Sequence, residues 1–312
     1  MDVIVITGPT ASGKSALAVD LARRLDTDII SADSRQIYRG IPIVTAVPSI
    51  EERGGVTHHL LETLPLDAYY SASQFRDDAL AIISRLAAEG KDHVVVCGGS
   101  MMYVDALVYG IDELPTVPDD IRQGLTAEWR QCGDEWLVAE LRRLDPVYAH
   151  RVDLRNLKRV FHAVEISLTA RRPYSSLLTS VGTQHAASPR PDGSCVGAPH
   201  VAHGQLPLTF KTYSLDACPR EWLFDRINRR VELMMAAGLL DEARRVYPLR
   251  HLNSLNTVGL KELFAYFDGT MDLPTAVARI QKNTRVYAKK QITWHKRHPA
   301  IIHLDPSSPI IL

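Results

Sequence analysis

Gly8-Pro9-Thr10-Ala11-Ser12-Gly13-Lys14-Ser15 lies between two apolar runs of different character. Before it stands Asp2-Val3-Ile4-Val5-Ile6-Thr7, a β-branched stretch that reads as a buried parallel strand. After it comes Ala16-Leu17-Ala18-Val19-Asp20-Leu21-Ala22-Arg23-Arg24-Leu25, strong helix formers with apolar residues at helical spacing. Strand, glycine loop and helix in this order form the phosphate-cradling pattern G-x-x-x-x-G-K-[ST], the P-loop. Gly8 and Gly13 allow a tight turn, so that the amides of Thr10, Ala11 and Ser12 can face an anion. The helix N-terminus adds partial positive charge, Lys14 a full charge, and Ser15 a hydroxyl for a phosphate-bound Mg²⁺. The stretch predicts an α/β parallel sheet with flanking helices and a site for a di- or triphosphate. The loop does not specify which phosphate compound it holds.

A chain of 312 residues is long for a single core, which favours one large α/β domain with an elaboration, or two domains. Lys+Arg and Asp+Glu both number 36, so a uniformly basic coat is excluded while a local basic surface is not. Cys97, Cys132, Cys195 and Cys218 are too scattered for a Cys-x-x-Cys metal site or a disulfide framework, and fit reduced thiols in a cytoplasm. No signal peptide and no membrane span is expected, because the first apolar run is already the first strand.

Asp28-Ile29-Ile30-Ser31-Ala32-Asp33 reads as a short second strand that ends in a carboxylate. Ligands of parallel α/β sheets sit beyond the carboxyl ends of the strands, so Asp33 is expected at the P-loop edge. A cap on the turn that follows suits it equally. Ala72 to Gly90 predicts an amphipathic helix closed by glycine, and His93-Val94-Val95-Val96-Cys97 predicts another buried strand, followed by Gly98-Gly99-Ser100. P-loop ATPases and GTPases place a Mg²⁺-holding acid at the end of such a strand, and here it is missing. His58 and His59 are adjacent on an extended segment and point to opposite faces, which argues against a joint metal site.

From Leu114-Pro115-Thr116-Val117-Pro118 the texture changes. Helices are expected over 119–129, 135–144 and 155–169, an all-helical insertion. The third is basic, with Arg151, Arg155, Lys158 and Arg159 close together, and reads as either a solvated face or a phosphate-facing one. Residues 183–206 lack periodicity and read as a linker, after which 207–215 returns to strand pattern. The expected organisation is therefore a core over 1–113, a helical insertion over 114–182, the linker, and the rest of the core over 207–312. The last helix, 273–294, carries Arg279, Lys282, Arg285, Lys289 and Lys290 with no acidic residue from Arg279 to His298. Tyr287, Trp294 and His295 are interleaved, and cations among aromatics favour nucleic acid.

Together these motifs resemble the tRNA dimethylallyltransferases, or tRNA isopentenyltransferases. The matching segments run in order over nearly the whole chain: the P-loop, Asp33-Ser34-Arg35-Gln36-Ile37-Tyr38, His58-His59-Leu60-Leu61, Phe75-Arg76-Asp77-Asp78-Ala79, Gly98-Gly99-Ser100-Met101-Met102-Tyr103, Arg155-Asn156-Leu157-Lys158-Arg159, Arg220-Glu221, Thr257-Val258-Gly259-Leu260-Lys261-Glu262-Leu263 and Lys290-Gln291-Ile292-Thr293-Trp294. The resemblance implies transfer of a dimethylallyl group from dimethylallyl diphosphate to N6 of the adenosine 3′-adjacent to the anticodon, with pyrophosphate leaving. It implies that the P-loop, Lys14 and Arg220 hold the diphosphate, that Ser15 supports Mg²⁺, that Asp33 is the general base, and that Ser100 bonds near the reacting amine. The anticodon stem-loop is then expected to meet Asp33, Ser34, Arg35, Gln36, Arg155, Lys158, Arg159, Lys261, Lys289 and Lys290, with the protein acting as a monomer.

The chain departs from the family pattern at Val47, where a lysine is common, and at Leu260, where an aromatic is common. Three other readings share parts of the sequence: a P-loop kinase of a small metabolite, a prenyltransferase acting on free adenine nucleotides, and a non-catalytic RNA-binding protein with a vestigial P-loop.

Overall fold

The computed structural model describes residues 1–178, 195–196 and 207–306. Most of the expected linker, 183–206, lies outside them. The chain divides into two compact units, Met1–Gly110 with Ala187–Leu312, and Ile111–Ala186.

The first unit is built on β1 (Asp2–Thr7), α1 (Lys14–Arg24), β2 (Ile29–Ser31), α2 (Pro42–Thr45), β3 (His58–His59), α3 (Ala72–Ala88), β4 (His93–Cys97) and α4 (Met101–Val108). The seven described strands of the sheet run in the order β3-β2-β4-β1-β6-β5, where β5 is Cys195–Val196 and β6 is Thr209–Leu215; β7 (Ile302–Leu304) also pairs with β6. All pairings are parallel except β5 with β6. Ile6 is in register with Cys97 on one side and Tyr213 on the other, so the P-loop, Gly98 and Leu215 leave the sheet at one edge. β1 is central, and Val3, Val5 and Ile6 are fully buried, which explains its unbroken apolar pattern. β3 and β7 are too short to read from sequence: two and three residues carry no period.

The capping box of Ser71 and Gln74 starts α3, and the helix is spent on the core through Phe75, Ala79, Ile83 and Leu86. The β4 strand ends in glycine rather than an acid for a steric reason: a Cβ on Gly98 would lie 2.1 Å from the Ala32 carbonyl oxygen. Beyond β6 follow α8 (Arg220–Ala236), α9 (Leu239–Val246), α10 (Leu260–Phe267) and α11 (Leu273–His295). They enclose a second core with Ile37, Ile41, Leu239, Leu260, Leu263 and Ile280. Buried Glu242 on α9 accepts the Ile43 and Val44 amides, each at 2.8 Å, and thereby fixes the short α2. Burial raises its pKa, and the two amides pull the other way.

The second unit holds α5 (Asp119–Leu144), α6 (Pro146–Ala149) and α7 (Leu157–Ala170). The two helices expected over 119–129 and 135–144 are both present within α5, separated at Gly133, whose φ of 84° and ψ of −179° are not helical. Its core is Leu125, Leu137, Leu141, Val160, Ala163 and Val164. Asp145, fully buried, caps α6 through the Tyr148 amide at 2.9 Å and takes the Ser175 hydroxyl at 2.8 Å. Arg151, Arg155, Lys158 and Arg159 are all exposed. Among the described residues of the whole chain, no helix is long and apolar enough to cross a membrane.

Candidate active site

The candidate site lies in the first unit. The P-loop wraps the N-terminus of α1, with Ala11 and Gly13 at φ 66° and 98°. Lys14 reaches back toward the Pro9 carbonyl at 3.4 Å. Burial, followed by the nearby Arg230, pushes its ammonium pKa down, while Cys97 and Asp33 act in the opposite sense. Among the described residues the buried Ser12 hydroxyl has no hydrogen-bond partner, an acceptor and donor left open within the loop. Two amides expected on the phosphate are engaged by the protein: Thr10 N–H donates to Gln291 Oε1 at 3.0 Å, and Ser12 N–H to the Pro9 carbonyl at 3.3 Å. Gly8, Ala11 and Gly13 keep their places in the turn.

Two cavities meet at this loop. A pocket of about 90 Å³ is lined by Lys14, Ser15, Asp33, Cys97, Gly99 and Arg230. A larger chamber of about 340 Å³ shares Thr10, Asp33 and Arg230 with it, and extends between Ser100, Val231, Met234, Lys261 and Tyr287. Asp33 thus stands at the boundary of both. Its Oδ1 accepts the Arg35 amide at 2.9 Å and the Gln36 amide at 3.3 Å, so the carboxylate caps its own turn and also borders the pocket. The two readings of Asp33 open at the sequence level are compatible. Outside the loop lies a groove of about 680 Å³, where Val47 and Pro48 face Arg226, Arg229 and Arg230.

The structure brings Ser34, Ser100 and Lys261 to the chamber with Asp33. Ser100 is buried, and its hydroxyl accepts the Ser34 amide at 2.8 Å. Arg35 lines the chamber and Gln36 the smaller pocket, and both also brace the protein itself. Arg35 Nη1 donates to the Asn253 and Ser254 carbonyls at 2.8 and 3.1 Å; Gln36 Nε2 donates to those of Thr45 and Ala46, both at 3.0 Å. Leu260 is fully buried in the second core, so an aromatic at this position would meet protein here.

Arg220, expected on the diphosphate, opens α8 and lies over the Phe224 ring at 5.5 Å rather than on the lining of these cavities. At 1.5 Å per residue it sits about 9 Å along the axis from Arg226. Arg226 Nε donates to the Ala11 carbonyl at 2.8 Å, and half-buried Arg230 lines both cavities. Burial lowers the Arg230 pKa, and Asp33 and Glu52 oppose this. Arg226 and Arg230 were legible as an i, i+4 pair flanking the buried Leu223-Ile227-Val231 stripe.

α11 also differs from expectation. Lys289 and Lys290 are exposed, but Trp294 and His295 do not present free stacking faces. Trp294 Nε1 donates to Asp105 at 3.0 Å with its ring 4.2 Å from His298, and buried His295 bonds Asp216, Ser214 and Thr7. Tyr287 is 38% exposed; burial of its hydroxyl and the proximity of Asp33 push its pKa up to about 12.

His58 and His59 make separate contacts, to the Val56 carbonyl at 2.9 Å and the Asp28 carboxylate at 2.8 Å. Among the described residues no group of three or more His, Cys, Asp or Glu side chains could hold a metal. Exposed Ser15 offers one hydroxyl beside the pocket, the donor set of an ion that arrives mainly coordinated by phosphate and water.

The P-loop, the carboxylate of Asp33 on its inner rim and the chamber beyond make up the candidate site of a P-loop fold. The chain belongs to the IPP transferase family, whose family model matches residues 36–298. It is 44% identical over 304 residues to tRNA dimethylallyltransferase 2 of Parabacteroides distasonis, covering 97% of this chain and 94% of that one. It is 39% identical over 300 residues to the tRNA dimethylallyltransferase of Christiangramia forsetii, covering 96% and 91%. The solved structure of the full-length tRNA isopentenylpyrophosphate transferase from Bacillus halodurans superposes with a TM-score of 0.66 at 31% identity, over 98% of this chain and 90% of that one. A eukaryotic dimethylallyltransferase shares the fold, with a TM-score of 0.78 at 23% identity over 98% and 74% of the two chains.

Proposed function

We propose that this enzyme transfers the dimethylallyl group of dimethylallyl diphosphate to N6 of the adenosine 3′-adjacent to the anticodon of tRNA. The observation that carries the reading is the position of Asp33 between the phosphate pocket and the chamber. The P-loop, Lys14 and Arg230 bind the diphosphate, and Arg220 supports it from the start of α8. The adenine, splayed out of a single-stranded loop, enters the chamber. As the N6–C1 bond forms, the C1–O bond breaks and pyrophosphate leaves. Asp33 takes the N6 proton and Ser100 keeps the turn that holds Asp33 in place. Positive charge around the pocket stabilises the departing pyrophosphate. Mg²⁺, held by Ser15 and the diphosphate, adds charge neutralisation when bound. Ser34, Lys261, Lys289 and Lys290, with Arg155, Lys158 and Arg159 of the second unit, meet the anticodon stem-loop; Arg35 and Gln36 hold the walls of the chamber. The reading includes a cytoplasmic monomer, in keeping with the free thiols of Cys97, Cys132 and Cys218.

The test is to incubate the protein and Mg²⁺ with labelled dimethylallyl diphosphate and either unmodified tRNA or AMP. Label in tRNA, lost in Asp33→Ala, is expected. Label in AMP alone, a requirement for ATP, or RNA binding with no turnover would each overturn the reading in favour of a different one.

A further inference from the structure

α11 presents one face, Tyr287, Gln291 and His295 at successive intervals of four, to the carboxyl edge of the sheet. The Tyr287 hydroxyl donates to the Gly99 carbonyl at 3.4 Å, and His295 Nε2 meets the Thr7 hydroxyl at 3.2 Å. Gln291, 1% exposed, lies between them and uses both ends of its amide. Oε1 accepts the Thr10 N–H at 3.0 Å, and Nε2 donates to the Gly99 carbonyl at 2.9 Å. Thr10 belongs to the phosphate cradle. Gly99 precedes Ser100, whose hydroxyl holds the Ser34 amide next to Asp33. The fit is tight on the Gly99 side, where a Cβ would lie 2.4 Å from Gln291 Nε2.

We infer that Gln291 is a positioning residue for group transfer: its amide sets the register between the loop that holds the leaving pyrophosphate and the turn that holds the base. This rests on the reaction proposed above. Among side chains of this length only an amide both accepts and donates here; an ionised carboxylate accepts alone, and a thioether does neither effectively. In-line displacement tolerates errors of about 0.5 Å between reacting groups, so a buried bond joining the two loops acts on the rate rather than on RNA capture.

The experiment compares wild type, Gln291→Met and Gln291→Glu in single-turnover transfer from dimethylallyl diphosphate to an unmodified anticodon stem-loop, from pH 5.5 to 8.5. Thermal melting is recorded at each pH. Gln291→Met is expected to lower kcat by about 10- to 100-fold with KM for the RNA within about threefold of wild type. In Gln291→Glu the ionised carboxyl faces the Gly99 carbonyl, whereas its protonated form can again accept from Thr10 and donate to Gly99. The ratio of its kcat to that of wild type is therefore expected to rise by about fivefold or more as the pH falls across that range. The other titratable groups lining the pocket, Lys14, Asp33, His58, Cys97, Arg230 and Tyr287, are common to both proteins and divide out of the ratio. His295 and Asp216, one turn on, divide out likewise. A flat ratio, a Gln291→Met enzyme with more than half of the wild-type kcat, or a loss that tracks the unfolded fraction would overturn the role of Gln291. Wild-type protein that transfers no label would overturn the reaction itself, and the two failures are thus distinguishable.

Discussion

The Ser100 hydroxyl accepts the Ser34 amide at 2.8 Å and lies 3.1 Å from the Ser34 hydroxyl, tying the start of α4 to the turn that carries Asp33. Ser100→Ala leaves a half-buried amide without its partner. It is expected to cost about 1 kcal/mol in urea unfolding and about tenfold in kcat. Ser100→Thr keeps the hydroxyl and should stay within about threefold of wild type in the transfer assay.

Asp33 caps its own turn with the same carboxyl that borders the pocket. Asp33→Asn keeps an acceptor for the Arg35 amide and removes the proposed base. Its melting temperature should match wild type while single-turnover transfer falls by about 10²- to 10⁴-fold. Asp33→Ala adds the loss of the cap, about 1 kcal/mol by denaturant titration.

Arg230 lines both cavities, whereas Arg220 stands at the head of α8 over Phe224. On the proposed function, Arg230→Met is expected to weaken dimethylallyl diphosphate binding by about tenfold or more, because a half-buried guanidinium is removed from the lining of both cavities. Arg220→Met should have the smaller effect, within about fivefold. Calorimetric titration with the diphosphate orders the two, and the reverse order would make Arg220 the stronger phosphate ligand.

Lys289 and Lys290 are exposed on α11 with no acid nearby in sequence. Lys289→Gln and Lys290→Gln should each weaken binding of the anticodon stem-loop and reduce the slope of log K against log salt by about one or slightly less. Filter binding from 50 to 300 mM salt measures both quantities. Unchanged slopes would remove this face from the RNA interface.

The pKa values of His295 and His298 are displaced in opposite directions. Burial lowers the His295 pKa, with the Asp216 contact only partly opposing it. Its folded value lies below the unfolded one of about 6.5, so its stability contribution is complete above about pH 6.5 and declines as the pH falls toward the folded value. For His298 burial also lowers the pKa, but the hydrogen bonds to Asp105 and the Trp294 carbonyl outweigh it and leave the pKa raised. That contribution is complete below about pH 6.5 and is lost as the pH rises through the folded value. Chemical denaturation at pH 5.5 and 8 should therefore show His298→Gln more costly at the acid end and His295→Gln more costly at the alkaline end.

The elements whose physics is local can be read directly along the chain. A run such as Val3-Ile4-Val5-Ile6 suits only a strand buried on both faces, and the spacing of Gly8, Gly13, Lys14 and Ser15 admits few uses other than a phosphate turn. The position of Asp33 at the P-loop edge was legible because a strand's carboxyl end is where ligands of parallel sheets collect. Tertiary structure decided what depends on contacts between distant segments. Arg35 and Gln36, polar residues beside a site, turn inward to backbone carbonyls because the neighbouring loops leave those carbonyls in need of donors. Among the aromatics between the cations, His295 is buried and Trp294 half-buried and hydrogen-bonded to Asp105, because that face of α11 is the one packed on the sheet edge. Composition could not separate the two faces of α11, since helical spacing fixes only that they differ. The hydrogen bond between Thr10 and Gln291 spans 281 residues. No pattern along the chain encodes such a pairing, and it links the P-loop to α11 only once the sheet has brought β1, β4 and the last helix to one edge.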